Sequence, residues 1–153
     1  MKVREEMSNL VRALEKAGVP YALCGGLAMA VHGWPRATLD IDLLVQEDRL
    51  EEVRKVARSQ GFREEAGFMN FSAGRVRLYR MVRLESDEFL VLDLLLAVGD
   101  FADVWTGRMT VRTEDGDISV VSADGLIRMK ELRGSGTDQD DIRKLKGDIG
   151  EGH

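Results

Sequence analysis

Apolar residues recur along this chain first with a helical period and then with the period of strands. Val3, Met7, Leu10, Val11 and Leu14 form a stripe at helical spacing that stops before Gly18, Val19 and Pro20, which predicts an opening amphipathic helix with a glycine stop. Residues 21–24 read as a short strand, 25–32 as a helix entered through Gly25 and Gly26, and 39–45 as a second strand after a loop over 33–38. Leu50, Val53 and Val56 or Ala57 mark another helix, preceded by Glu47 and Asp48 where the helix dipole favours acids, and closed at Gly61. Residues 62–65 read as a strand and 67–74 as a loop holding Phe68 and Phe71. A hairpin follows over 75–84 and 89–98, turning through Glu85, Ser86, Asp87 and Glu88.

Beyond the hairpin, Asp100 is placed to cap a helix whose Phe101, Val104 and Trp105 share a side, and short strands fall over 109–112 and 118–121. Ser122 starts a helix with Leu126, Ile127 and Met129 inward and Lys130 beside them. Thr137 and Asp140 have capping-box spacing for a last helix carrying Ile142 and Leu145, and 148–153 reads as a frayed polar tail. There is no internal repeat or linker, so the pattern predicts one domain over 1–147.

Three acids disturb this pattern. Alternate side chains of a strand share a face, so Asp40 and Asp42 point the same way roughly 6.6 Å apart, with Ile41 toward the core. The second hairpin strand, FLVLDLLLAV, is apolar at every position except Asp93, and a run of that kind is expected to be buried on both faces. A carboxylate taken out of water needs a cation or a proton. Two carboxylates so spaced can bracket a pair of hard divalent ions, and Asp93 on a neighbouring strand would complete the set. The glycine pair adds a second feature: Gly25 and Gly26 follow a strand and open a helix, which offers bare N–H groups and a positive dipole end to a phosphate.

Length and charge narrow the setting. At 153 residues the chain is long enough for one domain with a core of its own. With 27 acidic against 22 basic residues the net charge is −5, so no global basic field holds nucleic acid, although a local basic patch for RNA stays open. One cysteine, Cys24, rules out a disulfide framework and fits a reducing compartment. The charged start MKVREEMSN does not read as a signal peptide, and no stretch approaches the ~18 apolar residues of a membrane span, so a cytoplasmic protein without membrane partners is expected.

The segments GGLAMAVHGWPRATLDIDLLV, LVLDLLLA, ISVVSADGLIRMKEL and DQDDIRKL together resemble the nucleotidyltransferase fold superfamily, above all its small bacterial stand-alone and abortive-infection or toxin-type members. The resemblance implies an α/β (α+β) fold with a central twisted mixed sheet flanked by helices. It implies transfer of a nucleoside monophosphate from a triphosphate, ATP first, to an acceptor hydroxyl on a small molecule, an RNA end or a protein, with two Mg2+ ions. A toxin-type member would also have an antitoxin or other partner protein. By motif, Asp40 and Asp42 would hold the metals, and Asp93 would bind the metal nearest the acceptor and take its hydroxyl proton. Gly25 and Gly26 would approach the triphosphate, Arg36 would neutralise phosphate charge or brace the carboxylates, and Lys130 would reach the triphosphate from the late helix. Many members carry serine where this chain has Gly26, and relatives often carry basic residues where it has Gly134, Ser135, Gly136 and Thr137.

Other readings compete at several positions. The chain could be a non-catalytic relative that binds nucleotide or a partner. A phosphatase of the haloacid-dehalogenase type also pairs an apolar strand with Asp-x-Asp, but Leu43 and Leu44 stand where its Gly-Thr would be. Arg36 could simply pair with Asp40 or Asp42, and Lys130 has the default of a solvated helix lysine. His32 is expected to pack or cap at its helix end, with no partners at zinc spacing, and Cys24 to be inert. Arg75, Arg77 and Tyr79 alternate onto one face, expected to be a solvated edge strand, and Phe68 and Phe71 are expected in the core rather than stacked on a base.

Overall fold

The computed structural model describes residues 2–34, 38–133 and 136–151. Among these, six α-helices surround a seven-stranded mixed sheet. The helices are α1 (Val3–Lys16), α2 (Gly25–Val31), α3 (Leu50–Ser59), α4 (Ala102–Thr106), α5 (Ala123–Arg133) and α6 (Gly136–Glu151). The strands are β1 (Ala22–Cys24), β2 (Asp40–Val45), β3 (Glu64–Phe71), β4 (Val76–Glu85), β5 (Glu88–Leu96), β6 (Met109–Thr113) and β7 (Gly116–Val120). They lie in the order β3-β4-β5-β2-β1-β7-β6, with β2–β5 and β1–β7 parallel and the other neighbours antiparallel.

The two faces of the sheet differ. Leu90, Leu92, Leu94 and Leu96 of β5 are fully buried, as are Ile41, Leu43 and Val45 of β2. Their face is covered by α1 and α3: Arg83 of β4 reaches Glu6 of α1, and Tyr79 of β4 lies under Arg54 of α3. Met7, Leu10, Val11 and Leu14 are the buried stripe of α1, as their spacing predicts. On the other face Val91 and Leu95 are only half-buried. The all-apolar run of β5 is thus not covered equally on both sides, and Asp93 sits on the more open one.

Several expectations change. Residues 67–71 are not loop but the greater part of β3, a mostly exposed edge strand whose apolar residues fall on both faces and whose bulge between Glu65 and Gly67 breaks its period. Arg77 and Tyr79 consequently lie on an inner strand, with Tyr79 buried and Arg77 paired to Glu47. Phe68 is 56% exposed and meets Tyr79 edge-on at 5.0 Å, so it is not a core residue. Asp100 caps no helix; it pairs with Arg75 at 2.8 Å and Arg128 at 3.7 Å. Ser122 does cap α5, accepting from the Gly125 N–H at 3.1 Å. The α6 helix continues to Glu151, into the segment expected to be a tail, while the Thr137 side chain lies outside the described residues. No helix among the described residues is long and apolar enough to cross a membrane.

Candidate active site

The β2–β5 register sets Asp42 directly beside Asp93, and in a parallel pair such neighbours share a face. Asp40 lies two residues along β2 on that same face. All three line one cavity of about 390 Å3, walled by Leu78, Arg80 and Leu95 and closed toward the sheet edge by Phe71 and Ser72. Asp40 is exposed, Asp42 half-buried and Asp93 buried, so the acids descend from the surface into the sheet.

Asp93 is matched by a residue that sequence reasoning passed over. Arg80 of β4 is its register partner, and the guanidinium donates two hydrogen bonds to it, Nε to Oδ1 at 2.8 Å and Nη2 to Oδ2 at 3.0 Å. This two-pronged geometry is the strongest that the two side chains can make. It holds the Arg80 pKa above the ordinary guanidinium value, first through the Asp93 hydrogen bond and also through the charges of Asp93, Asp40 and Asp42. The signal was present in the hairpin: counting five residues outward from Glu85 and five from Glu88 sets Arg80 opposite Asp93.

Beside Asp42 lies the glycine turn. Cys24 pairs with Asp42 across β1 and β2, which brings Gly25 against the carboxylate. Gly25 has φ +67°, and a Cβ on it would stand 2.1 Å from Asp42 Oδ2. The turn therefore needs glycine for its left-handed backbone and again for its closeness to the acid. Gly26 is the second residue of α2, a helix with no side-chain cap at its start and, unlike α1 and α3, no acid in its first turn.

The remaining candidates fall in different places. Lys130 is not a solvated lysine: it is buried and meets the equally buried Asp141 of α6 at 2.9 Å. It also lines a small cavity of about 40 Å3 with Cys24, Gly25 and Asp42, directly behind the glycine turn. Arg36 lies outside the described residues. His32 shares a 2.8 Å hydrogen bond between Nε2 and the Val121 carbonyl, a structural contact at the end of α2, and Cys24 is buried. Phe71 is 47% exposed and belongs to the acid cavity, whereas Phe68 faces the other side of the sheet. The turn after Phe71 is held by Ser72, whose hydroxyl donates to the Leu132 carbonyl of α5.

As a donor set, three carboxylates on neighbouring strands suit hard divalent cations such as Mg2+. Their present arrangement does not yet form a cage: both Asp93 oxygens are on Arg80, and among the described residues no three acidic, imidazole or thiol groups are gathered to hold a metal ion.

No family model matches the chain, and no curated protein matches it by sequence. Its shape has clear counterparts. It is similar to the candidate nucleotidyltransferase TM1012 from Thermotoga maritima, with a TM-score of 0.60 at 16% identity over 97% of this chain and 96% of that one. It is also similar to the antibiotic-resistance factor ANT(2'')-Ia, with a TM-score of 0.63 at 15% identity over 97% of this chain and 86% of that one. The latter has also been solved in complex with adenylyl-2''-tobramycin. At these identities the likeness is one of fold, and the fold is the nucleotidyltransferase fold that the sequence resembles.

Proposed function

We propose that this chain is a nucleotidyltransferase that transfers a nucleoside monophosphate from a triphosphate, with ATP the first candidate, to an acceptor hydroxyl. The observation that carries the reading is the contact of Gly25 with Asp42 while Asp42 stands in register with Asp93. A close-backbone turn at a helix start thereby adjoins the carboxylate set, with Asp42 lining both the acid cavity and the small cavity at Gly25, and that juxtaposition is what a triphosphate with bound cations requires. The complex of ANT(2'')-Ia with an adenylylated small molecule supports the same class of reaction on this fold.

In the reaction, the acceptor oxygen forms a bond to the α-phosphorus, the bond from that phosphorus to the α–β bridging oxygen breaks, and pyrophosphate leaves. Asp40, Asp42 and Asp93 would hold two Mg2+ ions, which when bound supply charge neutralisation on the phosphate oxygens. The N–H groups at Gly25 and Gly26 would bind the phosphates, with Arg36 and Lys130 as further cations for them. The acceptor enters the acid cavity, which Arg80 and Phe71 also line, and Asp93 takes its hydroxyl proton. The reaction is placed in the cytoplasm, where triphosphates are abundant. A small molecule, an RNA end and a protein hydroxyl all remain acceptor classes, the last two being those a toxin with a cognate antitoxin would use.

A second reading is favoured by the Arg80 contact and by the missing hydroxyl at Gly26: a relative that binds nucleotide or a partner without transfer. Thermal unfolding of the full chain with a non-hydrolysable ATP analogue separates nucleotide binding from its absence. The proposal expects Mg2+-dependent stabilisation that Asp42→Asn loses. Equal melting with and without analogue and Mg2+ would contradict the proposal and the nucleotide-binding form of the second reading.

A further inference from the structure

We propose that Arg80 is a latch on the third acid: Arg80 and a divalent cation exclude one another at Asp93, and the exchange occurs when a phosphate offers the guanidinium a second anion. The inference rests on the reading above that the carboxylates hold metal.

Asp93 is 6% exposed, and a carboxylate at that depth must keep a counter-charge. Arg80 supplies it through both oxygens, the same oxygens a cation would use. Arginine does not give up its proton to leave as a neutral group. It can leave only by moving, and the β4–β5 register fixes its backbone, so the movement belongs to the side chain. The Arg80 side chain is 32% exposed and lines the cavity, so it has room to swing into that space. Of the anions on this face, Asp40 and Asp42 are committed to metal in the same reading, which leaves the triphosphate. A planar guanidinium suits phosphate as well as it suits carboxylate.

The latch makes metal and triphosphate bind cooperatively, and by linkage each raises the affinity for the other. It also accounts for an acid set that shares a face without closing into a cage. With Arg80 in place, both Asp93 oxygens are engaged; once the guanidinium has moved to phosphate, the carboxylate is available to both metal and hydroxyl.

The test is a calorimetric titration of Mn2+ alone into the full chain, without nucleotide. Arg80→Gln is expected to bind Mn2+ about tenfold more tightly than the wild type, the ordinary scale of coupling between sites. The gain should vanish in Arg80→Gln/Asp93→Asn and be absent in Arg75→Gln, which removes a surface charge paired to Asp100. Mn2+ should also raise the melting temperature of Arg80→Gln more than that of the wild type. Should Arg80→Gln fail to fold, Arg80→Lys, which keeps the charge but loses the two-pronged contact, is expected to gain affinity in the same direction. A wild type whose Mn2+ binding is lost in Asp42→Asn but not tightened in either Arg80 variant would overturn the latch and leave the metal reading intact. A gain that survives Asp93→Asn would also overturn it. No Mn2+ binding by any variant would remove the metal reading and the latch together.

Discussion

The side chain that Gly25 lacks would lie 2.1 Å from Oδ2 of Asp42, so the turn and the carboxylate are fitted to one another. Gly18 has a similar φ of +71° but nothing within 4 Å of its would-be Cβ, which makes it a control for backbone strain alone. Alanine at either position meets the left-handed cost of about 1–2 kcal/mol. Gly25→Ala should lose clearly more stability than Gly18→Ala in urea unfolding, and it alone should weaken Mg2+-dependent nucleotide binding. Equal losses at the two sites would show that Asp42 yields without consequence.

The Lys130–Asp141 pair invites a second comparison, because both groups are buried. Breaking a buried pair of this kind costs about 3–5 kcal/mol. Lys130→Met should therefore unfold at much lower denaturant, and Lys130→Met/Asp141→Leu should recover most of the loss. A nearly neutral Lys130→Met would mean that the lysine reaches solvent.

Alkaline stability should report on Tyr21. Burial, the largest cause, with the Glu15 charge and hydrogen bond, pushes its phenol from 10.0 up to about 12, while the Ser119 N–H and Arg12 act in the opposite direction. A group with its pKa raised by folding contributes fully below the unfolded value and loses that contribution as pH rises through the folded one. The stability of the wild type relative to Tyr21→Phe should thus shrink between about pH 10 and pH 12, on the scale of 1.4 kcal/mol per pKa unit. A difference that stays constant over this range would place the phenol in contact with water.

Much of the site was legible because strand periodicity is a local property. Asp40, Ile41 and Asp42 reveal two faces by alternation alone, and the Ser86-Asp87 turn, with Ser86 at φ +57°, fixes which residues of the hairpin meet. The same count finds Arg80 opposite Asp93, but an arginine in a strand shows no local sign of burial and looks like surface. The burial of Lys130 is illegible in the sequence for a different reason. Its partner Asp141 comes from α6, and nothing local in α5 shows that another helix covers it. The β3 strand is hard to read because Phe68 lies on one face, Met69 and Phe71 lie on the other, and the bulge after Glu65 interrupts the alternation.

The most direct test of the central claim follows the α-phosphate. The protein is incubated with Mg2+ and ATP labelled at that phosphate, alongside candidate hydroxyl acceptors, and compared with Asp42→Asn. The account predicts label joined to an acceptor, one pyrophosphate released per label transferred, and loss of both in the variant. Binding of Mg2+ and ATP by the wild type with no transfer to any acceptor class, or transfer undiminished in Asp42→Asn, would contradict it.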